Sequence, residues 1–116
     1  MKRNIVIYVR DILQNMQDAE DFVQGLSYDQ FKVDKKTFNA VLRAVEVVGE
    51  ATKHIPADIR EKYPAVPWKE MAGMRDKVSH FYFGVDPEVV WNVVKDRIPT
   101  LKPINEKILQ GLEQQP

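Results

Sequence analysis

At 116 residues the chain has room for one domain and no second core. A hydrophobic share of 44% with 29% charged residues excludes a disordered or fibrous chain, and the absence of cysteine excludes disulfides, thiolate nucleophiles and cysteine zinc sites. Its 17 basic residues match its 17 acidic ones, which argues against a uniformly basic nucleic-acid coat; any positive charge meant for nucleic acid must be gathered locally.

No apolar run approaches the roughly 20 residues that a membrane span needs, so no membrane association is expected. The start, Met1 to Val9, is basic and then apolar, as a leader would be. Arg10 and Asp11 cut it short and no small-residue cleavage site follows, so no leader is expected. A cysteine-free chain of this kind fits a reducing compartment, and the expected location is cytoplasmic.

The apolar period stays close to 3.6 nearly throughout, which predicts helices. Ile5, Tyr8, Val9, Ile12, Leu13, Met16, Ala19, Phe22, Val23 and Leu26 form one stripe. They predict a first helix over about 4–24, with Gly25 near its stop. Ser27 to Phe31 reads as a short turn or connector. Asp34 is a good N-cap for a second long helix, whose stripe runs Phe38, Val41, Leu42, Val45, Val48, Ala51 and Ile55 until Pro56 ends it.

Pro56 also stands where a short third helix would begin, reaching about Tyr63. Pro64 and Pro67 bracket a loop, and Pro67 opens a fourth helix carrying Trp68, Met71, Ala72, Arg75, Val78 and Ser79. After Gly84, Asp86-Pro87 pairs a cap with a proline at the first helical position, so a fifth helix starts there. Pro99 and Pro103 are expected to kink it before a last segment over 104–112. No stretch alternates with period two and no repeat is present. The prediction is an all-α chain, a single domain over 1–116 built as an antiparallel bundle of four to five helices.

The chemistry concentrates in one place. Arg75, His80 and Tyr82 form R-x4-H-x-Y within eight residues, with Asp76 just after the arginine. A guanidinium holds phosphate with a planar, permanently charged fork, and an imidazole moves protons near neutral pH. On an ideal helix Arg75 and Tyr82 return to within about 20° of one another, while His80 lies about 140° from Arg75. The three converge only if the helix loosens or ends near His80, and Gly84 downstream suits such an ending.

Each residue also has a plainer reading. His80 could lend charge to a helix C-terminus, Arg75 could pair with Glu70 or Asp76 on a solvated face, and Tyr82 could simply pack. His54, near the end of the second long helix, reads as a partner of that helix end. Trp68 and Trp91 read as packing residues, and Glu46 and Glu50, one turn apart around Gly49, as structural. Two histidines 26 residues apart, with no cysteine, do not suggest a metal site.

The surroundings strengthen the motif. Arg43 to Ala51 (RAVEVVGEA), Val66 to Arg75 (VPWKEMAGMR) and His80 to Asp86 (HFYFGVD) resemble the HepT-like branch of the HEPN superfamily, from the second helix to the fifth. That resemblance implies a HEPN-like helical bundle, a homodimer and an endoribonuclease that needs neither metal nor cofactor. It also implies a toxin role in a toxin–antitoxin system, beside a minimal nucleotidyltransferase antitoxin. Carried across, it makes Arg75 and His80 the catalytic pair, Asp76 the polar residue beside them, and Tyr82 the tyrosine that receives AMP. The alternative is a non-catalytic, nucleotide-binding helical partner of a nucleotidyltransferase, with Arg75 on a nucleotide phosphate. One histidine per chain cannot be base and acid in a single concerted pass, so the nuclease reading expects both His80 copies at a two-fold cleft.

Overall fold

The computed structural model describes residues 2–79 and 86–114, and of these the side chains of 2, 3 and 75–79 stand outside the description. Helix α1 spans Lys2–Val23. Its core stripe is Val9, Ile12, Met16, Ala19 and Val23, each at most 1% exposed. Spacings of three and four residues hold one helical face against the interior. Burying a side chain such as Ile12 stabilises the fold by about 1.5–3 kcal/mol. Phe22, expected in that stripe, instead lies at its edge and is 43% exposed. The helix stops at Gly25, whose φ of 81° belongs to the left-handed region, and the Leu26 N–H donates to the Val23 carbonyl at 3.0 Å.

The segment predicted as a turn is helical: α2 covers Tyr28–Val33. Ser27 and Gln30 close a reciprocal capping box, Gln30 N–H donating to Ser27 Oγ at 3.2 Å and Ser27 N–H to Gln30 Oε1 at 2.9 Å. Fully buried Phe31 pins this helix between the rings of Phe38 and Trp91, with centroids 5.6 and 5.2 Å away. Helix α3 covers Lys35–Lys53 and is capped as predicted, the Thr37 N–H and hydroxyl donating to the two Asp34 carboxylate oxygens at 3.1 and 2.7 Å. Helix α4, Ala57–Lys62, follows Pro56, and its Arg60 reaches back to donate to the carbonyls of Thr52 (2.9 Å) and Ile55 (3.1 Å). A cation on the open end of α3 satisfies groups the helix itself leaves unpaired.

Helix α5 covers Trp68–Ser79, and α6 covers Pro87–Asn92 behind Asp86, whose carboxylate accepts the Glu88 N–H at 2.9 Å. The prolines then act differently from expectation. A π-helical turn over Val93–Arg97 leads straight into α7, Ile98–Glu113, and the helix continues through Pro99 and Pro103. The Ile98 N–H bonds the Val93 carbonyl, five residues back, so the coil is wide where an α-turn would set the Pro99 ring against the Lys95 carbonyl. Burial of Ile98, Leu101, Ile108 and Leu112 holds the far side in register.

The long helices α1, α3, α5 and α6–α7 make the bundle, with α2 and α4 as connectors, so the expected all-α bundle is what forms. Helix α1 packs between α3 and α7, and α3 also packs on α5. Tyr8, early in α1, stacks on His54 at the end of α3 with centroids 4.8 Å apart. Arg10 pairs with Glu113, and Lys102 donates to Gln17 and Glu20 at 2.6 and 2.8 Å. Those pairings make both neighbours of α1 antiparallel to it. Buried Asn105 ties α7 to α5, its Nδ2 donating to the Leu101 carbonyl at 2.8 Å and lying 3.7 Å from Met71 Sδ. Among the described residues no helix is long and apolar enough to cross a membrane.

Candidate functional site

Helix α5 carries the motif, and its first half is well anchored. Trp68 is 8% exposed and donates through its indole N–H to the Tyr63 carbonyl at 3.0 Å. Met71 and Met74 are buried one turn and two turns on. Glu70 accepts a two-pronged hydrogen bond from Arg97, Nε onto Oε1 and Nη2 onto Oε2 at 2.8 Å. Those bonds, and then the attraction of the carboxylate itself, hold the Arg97 pKa above its ordinary value.

The helical register places the backbone of Arg75 one turn past Met71, with Asp76 next to it, both within α5. Their side chains stand outside the described set. His80 and Tyr82, which follow Ser79, lie outside the described residues altogether. The helix therefore brings Arg75 and Asp76 onto one rigid element whose last described residue directly precedes His80.

The remaining polar candidates settle into structural contacts. His54 is the C-cap of α3, its ring against Tyr8 and its Nε2 3.7 Å from Glu50 Oε1. Glu46 lies 3.8 Å from Arg43 within the same helix. Trp91 packs edge-on to Tyr28 and against Phe31, with Lys95 Nζ 5.0 Å above its ring. Among the described residues, one cleft of about 320 Å³ opens between α1 and α3 and another between α1 and α7. Asp11, Glu46 and Glu50 line the first together with Arg43 and His54, and no residue of α5 lines either. Among the described residues no group of three or more His, Asp or Glu is placed to hold a metal ion.

Sequence reasoning missed Arg97. Nothing local signals it, because its partner lies 27 residues away.

Comparison with known proteins identifies relatives over nearly the whole chain. The family model described as "Ribonuclease HepT-like" matches residues 12–108. A Thermococcus cleftensis protein named "Probable ribonuclease HepT" is 47% identical over 108 residues, covering 93% of this chain and 98% of that one. Two Methanocaldococcus jannaschii proteins, each named "Putative RNase", are 50% and 49% identical over 113 and 112 residues. Each alignment covers 97% of this chain, and 97% and 93% of the relatives respectively. No solved structure gives a significant match. The match spans α1 to α7 and includes every motif residue, and the chain belongs to the HepT-like ribonuclease family.

Proposed function

We propose that this ribonuclease is the toxin of a toxin–antitoxin system, an endoribonuclease that works without metal and acts as a homodimer. The observation that carries the reading is the R-x4-H-x-Y motif, Arg75 to Tyr82, inside the region matched by the family model. RNA supplies its own nucleophile in the 2'-hydroxyl. One His80 imidazole takes the 2'-hydroxyl proton as the O2'–P bond forms. The second His80, protonated, gives its proton to the 5'-oxygen as the P–O5' bond breaks. Arg75 from each protomer clamps the phosphate and opposes the charge that builds on its oxygens, with Asp76 as the polar residue beside it. The products are a 2',3'-cyclic phosphate and a 5'-hydroxyl, and no other reactant is consumed. A minimal nucleotidyltransferase antitoxin ends the activity by moving AMP from ATP onto the Tyr82 oxygen, with pyrophosphate as the leaving group.

The test is cleavage of a labelled RNA by purified His80→Ala, which should lose about 10²- to 10⁴-fold in rate while its circular dichroism stays that of the parent. EDTA should leave the parent rate unchanged. Wild-type cleavage by His80→Ala would reject this mechanism, whereas a parent protein that cleaves no RNA would favour the non-catalytic, nucleotide-binding alternative.

A further inference from the structure

Among the described side chains of α5, Trp68 fixes the start of the helix through its indole hydrogen bond to the Tyr63 carbonyl, while the buried anchors nearer Arg75 are Met71 and Met74, unbranched side chains that adapt to small shifts of their neighbours. Apolar burial is also non-directional, so these contacts alone leave the helix some freedom to turn about its axis. The Glu70–Arg97 pair differs in kind: a guanidinium fork on a carboxylate fixes direction as well as distance. Arg97 is itself held, as the last residue of the π turn, directly before fully buried Ile98. After the turn, Ile98, Leu101, Asn105, Ile108 and Leu112 are buried at spacings of three and four, which fixes the start of α7 against the core.

We propose that Arg97 is a positioning residue: its fork on Glu70 sets the rotation of α5, and through it the direction in which Arg75 meets phosphate. The inference rests on the nuclease reading above. Glu70 and Arg75 are five residues apart on one helix, about 7.5 Å along its axis, so they turn together. At the roughly 5–6 Å radius that side chains reach, a turn of about 10° moves a group by about 1 Å. A misplacement of about 1 Å can cost on the order of 100-fold in rate.

The experiment compares Arg97→Lys, Glu70→Gln and Arg75→Ala in the full-length protein, by steady-state cleavage of a fluorescent RNA and by thermal unfolding. Lysine keeps the charge and loses the fork, so it separates direction from simple attraction. Arg97→Lys and Glu70→Gln should each lower kcat about tenfold with KM within about twofold, well below their melting temperatures. The double variant Glu70→Arg with Arg97→Glu, which rebuilds the fork in reverse, should recover most of that loss. Unchanged kcat in Arg97→Lys, or a loss that only follows the fraction of folded protein, overturns the positioning role. Arg75→Ala separates the two levels. If it is inactive while Arg97→Lys is normal, the positioning role alone falls; if it cleaves like the parent, the nuclease reading falls and takes the inference with it.

Discussion

Tyr82 stands two residues past His80, so an AMP ester on its oxygen would add a phosphate and an adenosine beside the proposed catalytic pair. The phosphate would compete for Arg75 and repel the RNA backbone, while the adenosine filled the space that substrate needs. Tyr82→Phe should therefore keep its cleavage rate when incubated with the partner nucleotidyltransferase and ATP, whereas the parent is silenced. Mass spectrometry checks the site: an adenylyl mass on a residue other than Tyr82 would leave that tyrosine a packing residue. These residues stood out as candidates because an arginine, a histidine and a tyrosine at that spacing carry their chemistry in their types. Glu70 was legible only as a charge. Its local neighbours suggested Arg75 or a solvated face, and its Arg97 partner appears only once α5 and the π turn are packed together.

Among the elements, long amphipathic helices and capped starts were legible, and short or compensated ones were not. Asp34 and Asp86 cap the helices their sequence positions predicted. Helix α2 escaped notice because six residues are too few to show a period, although Ser27-x-x-Gln30 was a capping box in plain view. Pro99 misled for the opposite reason: the rule that proline breaks a helix assumes an α-turn before it, and here the turn is wider, whereas nothing in the structure explains how Pro103 is accommodated inside α7. The Asp34 cap makes a pH prediction. Hydrogen bonds from the Thr37 hydroxyl and then its N–H favour the carboxylate and hold the Asp34 pKa below its ordinary value. A depressed folded-state pKa means stability that is fully present above the unfolded value, near 4, and is lost as pH falls through the folded one. An asparagine in its place would keep the cap and lose the charge. Asp34→Asn should thus melt a little below the parent at pH 7, and the gap should be smaller at pH 3, below the unfolded value near 4. Melting curves whose separation is the same at both pH values would show that the charge contributes nothing.

At the scale of the whole molecule, a ribonuclease with no net charge has to hold a polyanion, and in the proposed mechanism the one motif histidine, His80, has to supply both a base and an acid. A two-fold dimer meets both demands, because a symmetric interface duplicates one patch and sets its two copies side by side. Each cleft would then hold two Arg75 guanidiniums and two His80 imidazoles, and a dimer with one altered histidine would lack either its acid or its base. Mixing wild-type protein with His80→Ala under conditions that exchange subunits should therefore poison activity beyond simple dilution. At equal amounts, random pairing puts half of the wild-type chains into mixed dimers, so activity per wild-type chain should fall to about half. With further excess of the variant it should fall in proportion to the wild-type fraction. Light scattering should report twice the chain mass of 13.5 kDa throughout. Activity per wild-type chain that stays flat across the series would mean that each protomer cleaves alone, and a single imidazole would then have to carry both proton transfers in separate steps.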